Sequence, residues 1–283
     1  MKKIIAIVLA LVMTTCAVLT MSSCSKEDDT LVCGVTIFEK MNEQNADGTW
    51  TGFESEFAMA VGEIIGMDVE FQEITWEQKY AELESGAIDC IWNGFTANSS
   101  DNGTPRKDLV DFSYGYMLNQ QCIVVNKADL ATYKSQADLA GKVACVEGGS
   151  AGEEYAKGVT DKEILKATNQ LGAFMDLKAG GVDFIVVDVV LAQNLCGKDD
   201  FSDLAIVEAI ELKSVVYAIG FKKGSELTAK VNAAIKQLDE DGTLAALAKK
   251  YGFENVVKVI EEITIKYIPQ MLIYKNKNDK FRK

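Results

Sequence analysis

The chain contains no histidine in 283 residues. That absence removes the Ser/His/Asp and Cys/His nucleophilic machineries and every histidine-bearing zinc or iron site, and most hydrolase chemistry goes with them. The body of the chain also lacks a surplus of cations. The net charge is −13, while Lys2 and Lys3 stand before residue 24 and residues 256–283 carry seven Lys/Arg against three acids, so the body between is more acidic than the whole. Such a surface repels nucleic acid and anionic lipid, and no nucleic-acid partner is expected. There is no G-x-G-x-x-G and no Walker lysine, and no cofactor or metal set is recognisable. Two prolines, 48% hydrophobic and 25% charged residues describe a well-packed globular chain long enough for two modest domains.

What is present begins with a targeting signal. "MKK" is a positive n-region, "IIAIVLALVMTTCAVLT" an apolar core, and "MSSC" sets two small residues before Cys24. This resembles a bacterial lipobox over residues 1–23, with Cys24 lipidated and residues 24–29 a polar tether. Cys16, inside the apolar run, is the competing site, and an uncleaved anchor or plain secretory signal is the alternative. Each reading puts the body outside the cytoplasm, and lipidation adds a membrane anchor. Five cysteines remain, Cys33, Cys90, Cys122, Cys145 and Cys196, an odd number with no CxxC and with apolar neighbours. They read as small buried hydrophobes rather than a disulfide framework, although a pair among them stays open.

From residue 31 strand and helix patterns alternate. "LVCGVTI", "MDVEFQEI" and "AIDCIWNGF" read as strands, and "EFAMAVGEIIG" and "WEQKYAELESG" as helices. A second series follows from "QCIVVNK" through a helical "ADLAG", "KVACVEGG" and "SAGEEYAKG" to "VDFIVVD". This predicts α/β architecture. "LESGAIDCIWN" (83–93) and "LKAGGVDFIVV" (177–187) echo one another, sharing Asp89 and Asp183, which suggests two similar lobes. Parallel sheets bind ligands beyond the carboxyl ends of their strands, here Asn93, Gly94 and Thr96 in one lobe and Asp188 in the other.

Over residues 30–255 the motifs resemble family 3 of the bacterial extracellular solute-binding proteins, which serve polar amino acid ABC transporters. They are "GFESEFAMAVGEII" (52–65), the W-x-x-K-x-x-x-L-x-x-G-x-x-D run from Trp76 to Asp89, "RKDLVDFS" (106–113), "KVACVEGGSAG" (142–152) and "YAIGFKKGSELTAKVNAAIKQLDEDGTLAALAKKYG". Ser55 departs from the family pattern. The resemblance implies a two-lobed, type II periplasmic-binding-protein-like fold. Each lobe is then a mostly parallel sheet flanked by helices, with two crossing hinge segments between them. Lobe 1 comprises 30–117 plus 215–255 and lobe 2 comprises 118–214. Residues 256–283 form a C-terminal extension of unknown structure, an added strand or helix, with poor order expected at its charged end.

In that family a G-x-T segment followed by arginine binds the ligand's α-carboxylate, which implies Gly94, Thr96 and Arg106. A planar guanidinium can grip a carboxylate with two parallel hydrogen bonds. Relatives commonly put five residues between threonine and arginine, whereas "ANSSDNGTP" makes the loop longer here. The structural alternative is a surface arginine paired with Asp108 or Asp111. The nearest upstream cation is Lys79, twenty-seven residues away. Asp188 matches the aspartate that accepts the substrate ammonium, with helix N-capping as its alternative. Asp183 reads as the start of a strand. Ser150 and Ala151 are expected near the ligand, where "GGSAG" leads into a helix beginning near Glu153. Trp76 stacks on the ligand or packs the core. Phe38 or Glu39 lines the pocket, and whether Glu39 or Glu147 reaches the cleft stays open.

Three functions remain. A monomeric binding subunit that delivers an L-amino acid to an ABC permease accounts for the acidic body, the zwitterion pair and the missing catalytic histidine, and it is not an enzyme. A cyclohexadienyl dehydratase-like enzyme would face a dianion, for which one arginine is few. An amino acid sensor is the third.

Overall fold

The structure is a computed structural model that describes residues 29–263. The lipidation site Cys24, the signal segment 1–23 and the end of the tail, 264–283, lie outside the described residues.

Among the described residues ten strands make one mixed sheet. They are β1 (Thr30–Val35), β2 (Asp68–Glu73), β3 (Cys90–Ile91), β4 (Asp111–Asn126), β5 (Ala144–Glu147), β6 (Ile164–Ala167), β7 (Phe184–Asp188), β8 (Leu204–Ile206), β9 (Ser214–Phe221) and β10 (Val257–Ile260). Their order is β6-β5-β7-β4-β9-β3-β1-β2, with β8 and β10 also paired to β4. The flanks are parallel, β1 with β3 and β5 with β6 and β7. The centre is antiparallel, because there the chain crosses between halves: β4 pairs β9 from Asp111↔Phe221 to Gln120↔Ser214, then β7 from Gln121↔Asp188 to Val124↔Ile185. "QCIVVNK" is therefore the end of a 16-residue strand that belongs to both halves.

Burial explains the length of that strand. Its successive side chains point to opposite faces, and both faces are covered. Cys122 and Val124 join one core, while Ile123 and Val125 join another with Ala144, Val146, Phe184 and Val186. In the N-terminal half a third core gathers Ile74, Leu83, Ile88, Ile91, Phe95 and Val110. Helix α1 (Phe53–Ile65) buries Phe53, Phe57, Ala58 and Val61, the helical spacing that its sequence predicts. The helices that bear on the site are α2 (Lys79–Ser85), α3 (Arg106–Leu109), α4 (Ala151–Lys157), α5 (Gln170–Lys178) and α6 (Val189–Leu195).

The two echoing segments do the same mechanical work. Asp89 accepts the Val32 N–H at 2.8 Å, and Asp183 accepts the Val143 N–H at 2.7 Å, so each aspartate ties the start of its strand to a neighbouring segment. Two local expectations change. "ADLAG" forms a short 3-10 turn, Gln136–Leu139, closed by a Ser135/Asp138 capping box, rather than an α-helix. Beyond residue 255 the tail adds β10, which pairs β4 at Met117 and Gly115. The five cysteines after Cys24 are free; four are buried and Cys196 is partly exposed. The Cys33 and Cys90 sulfurs lie 3.6 Å apart across β1 and β3.

Candidate functional site

The two halves of the sheet meet at a cleft. One half contributes Trp76, Asn93, Gly94, Thr96 and Arg106, and the other contributes Gln121, Glu147, Ser150, Ala151, Gln170 and Asp188. Eight of the ten residues expected at the ligand are thus brought together. The space between them is about 10 Å³, room for one water and not for an amino acid. The lobes must part to admit one.

Arg106 is 1% exposed, at the start of α3, and is not a surface residue. Asp111 pairs instead with Lys223 and the Gly224 N–H. The anion on Arg106 is Asp101, whose Oδ1 accepts from Nη2 at 2.9 Å and Nε at 3.2 Å. Asp101 comes from the long loop, folded into a small hairpin of Ser100–Asp101 against Thr104–Pro105. Nη1 donates to the Thr96 carbonyl, and Nη2 also reaches across the cleft to the Gly149 carbonyl at 3.2 Å. The guanidinium lies over the Phe95 ring, 5.0 Å from its centroid.

A second cation stands beside it. Lys79, also 1% exposed, donates to the same Gly149 carbonyl at 2.8 Å and lies 3.5 Å from Asp101. Burial first, and then the Arg106 charge, push the Lys79 ammonium down to about 8. Burial pushes the Asp101 carboxyl up, but Arg106 and Lys79 outweigh it and hold it below the usual range. Arg106 is therefore not alone, and the remoteness of Lys79 in sequence is misleading.

The opposite wall is acidic. Asp188 ends β7 and precedes α6, yet its side chain makes no capping bond to that helix. Its carboxylate instead accepts from the amides of Asn119, Gln121 and Gln170, and its own N–H donates to Gln170 Oε1 at 2.8 Å. Burial raises its pKa while these donors lower it. Glu147, at the end of β5, is 4% exposed, and its Oε1 has no hydrogen-bond partner among the described residues. Burial, reinforced by Asp188, pushes it up to about 8. A third acid, Glu54, sits behind Gly94: it accepts the Gly94 N–H at 2.8 Å and the Tyr116 hydroxyl, and burial pushes it to about 7.

The family model for bacterial extracellular solute-binding proteins, family 3, matches residues 31–255. The chain belongs to that family. Among family 3 relatives, the L-cystine-binding protein TcyJ of Escherichia coli strain K12 is 30% identical over 236 residues, covering 82% of this chain and 86% of that protein. The arginine-binding extracellular protein ArtP of Bacillus subtilis strain 168 is 26% identical, covering 86% and 96%. A crystal structure of an ABC uptake transporter substrate-binding protein from Streptococcus pneumoniae with bound histidine is 30% identical. It matches with a TM-score of 0.71, covering 81% of this chain and 95% of that one. The two-lobed α/β architecture is that of the family 3 fold. These relatives are named as binding proteins and not as enzymes.

Within this family 3 cleft, some expected residues already have structural duties. Asn93 spends its amide on the Thr36 carbonyl and on Asn42, both at 2.8 Å, while its oxygen accepts from the Thr36 hydroxyl. Gly94 has φ +55°, and a β-carbon there would stand 3.1 Å from the Phe38 ring. Phe38 therefore packs behind the cleft wall rather than lining the space itself. Glu39 is not among the residues that border this space. It is half-buried, burial raises its pKa, and the charges that act on it are Lys40, Glu43, Lys198 and Asp199. Ser150 caps α4, accepting the Glu153 N–H at 3.1 Å, so this helix starts at Ala151 rather than near Glu153. Trp76 lines the cleft and also packs edge-on against Phe95. Sequence reasoning missed Lys79, Asp101, Glu54, Gln121 and Gln170. The pattern held one signal for Lys79, a cation at a helix start three residues after a tryptophan.

Proposed function

We propose that this chain is the substrate-binding subunit of an ABC importer, which captures a polar L-amino acid between its lobes and delivers it to the permease. The observation that carries this reading is the pairing of opposite charges across one cleft. Arg106 and Lys79 stand on one wall and Asp188 on the other, an arrangement that a zwitterion would bridge once the lobes part. Lobe 1 is 30–117 plus 215–255 and lobe 2 is 118–214. The crossing of β4 and β9 near Met117–Gln120 and Ser214–Tyr217 supports that division. Arg106 takes the carboxylate, with Thr96, Gly94 and Ser150 nearby; Asp188 takes the ammonium; Trp76 and Ala151 border the side chain. The protein works outside the cytoplasm as a monomer, held to the membrane by lipid on Cys24.

A dehydratase-like enzyme is the second reading, and two observations favour it: Lys79 supplies the second cation that a dianion needs, and Glu147 is a carboxyl held neutral near pH 7. Calorimetry with the twenty amino acids and L-cystine tests the first reading, which fails if none binds. Turnover of a prephenate-like dianion without amino acid binding would favour the second.

A further inference from the structure

We propose that Glu147 is a ligand-contacting residue that receives a cationic group of the bound amino acid together with Asp188. The inference rests on the binding-protein reading and deepens it.

The two acids of this wall differ in what they have left to offer. Asp188 is enclosed by amide donors from Asn119, Gln121 and Gln170, which together satisfy a carboxylate in place. Glu147 borders the same cleft space, is 4% exposed, and leaves Oε1 without a partner among the described residues. A buried oxygen without a donor is costly, and a residue that keeps one at a cleft wall has a place for a donor that arrives from outside. An ammonium or guanidinium is the donor that fits, because it meets two neighbouring carboxyls and neutralises the repulsion between them.

The groups around Glu147 determine its protonation. Burial disfavours its charge most and Asp188 on β7 adds to that; Lys79 on α2, a hydrogen bond from Gln170 on α5 and Arg106 on α3 favour it; burial prevails, so free Glu147 is largely protonated at pH 7, with its pKa at about 8. A cation placed against it stabilises the carboxylate and drives the proton into solution. Lys79, at about 8, stays mostly charged at pH 7 and does not mask the release. The sign is then fixed: affinity rises with pH up to about 8, by up to about tenfold per pH unit, and levels off above it. The cation can be the ligand's α-ammonium or one on its side chain, and the two are separable.

The experiment is calorimetry of the full chain at pH 7 in two buffers of different ionisation enthalpy, with L-glutamine and L-arginine as probes. About one proton should be released per ligand bound. Release with both probes assigns the α-ammonium, and release with L-arginine alone assigns the side-chain cation. Glu147→Gln should abolish the release and weaken binding by about tenfold to a hundredfold. Binding without proton release, or release unchanged in Glu147→Gln, overturns the proposal while leaving the binding-protein reading intact. If no amino acid binds at all, that reading falls and takes this one with it. Should Glu147→Gln not fold, the wild-type proton count in the two buffers still decides.

Discussion

The two walls of the cleft hold their charges in different ways. On the cationic wall every charge is already answered: Asp101 and the Gly149 carbonyl serve both Arg106 and Lys79. On the acidic wall Asp188 is satisfied by neutral amides, and Glu147 is kept uncharged by its surroundings. A ligand arriving at the first wall must replace existing partners. At the second it supplies one that is lacking. On the proposed reading a ligand exchanges bonds at the cationic wall and adds one at Glu147, while both walls contribute to affinity.

The sharpest way to break this contrast is Arg106→Ala, which strands Asp101 and removes the carboxylate grip. Binding should weaken by about 2–5 kcal/mol in calorimetry, and Arg106→Lys should also bind less well for want of the fork. Unchanged affinity would remove Arg106 from the site. Asp188→Asn comes next, with a loss of about 1.5–3 kcal/mol. Small-angle scattering should show less ligand-induced compaction for this variant than for the wild type. Equal compaction by the decarboxylated amine of a bound amino acid would mean that no carboxylate is read.

Asp101→Asn sharpens the comparison from the other side. It removes the internal anion, so the ligand-free protein should lose about 1–3 kcal/mol of stability while the rise in melting temperature on adding ligand grows. A variant with unaltered ligand response would show that Asp101 does not compete. The smallest effect concerns pH. Glu147 and Glu54 have folded-state values raised to about 8 and about 7, so the folded state holds their protons more tightly than the unfolded chain. Their stabilisation is complete below the ordinary carboxylate range and is lost as pH rises through 7 and 8. Melting temperature should fall by a few degrees from pH 5 to pH 8, and less steeply in Glu147→Gln. Lys79, lowered to about 8, acts oppositely, adding stability only above that pH.

Much of the molecule is legible in its sequence. The apolar periodicity of α1, the repeated Asp89/Asp183 segments and the G-x-T with its following arginine announce an α/β protein with a cleft. What stays hidden is what only the third dimension joins. Lys79 is remote from Arg106 along the chain and becomes its neighbour because Trp76–Gln78 and the long loop fold against the same side of the cleft. Asp101 is hidden inside the long polar loop between Thr96 and Arg106. Glu54 sits in a helix signature where a glutamate ordinarily faces solvent; here Tyr116 and the Gly94 N–H draw it inward. Phe38 and Glu39 stay undecided in the sequence, and neither borders the space between the two walls.

Gly149 shows how a residue with no side chain can set a threshold. Its φ of +72° is a backbone geometry that L-residues seldom adopt, and it aims one carbonyl at two cationic donors from the facing lobe. A peptide oxygen is a dipole and not an ion, so it holds those donors more firmly than bulk water does yet yields them to a carboxylate. On the proposed reading the lobes rest against each other without locking, and a ligand's carboxylate releases the latch.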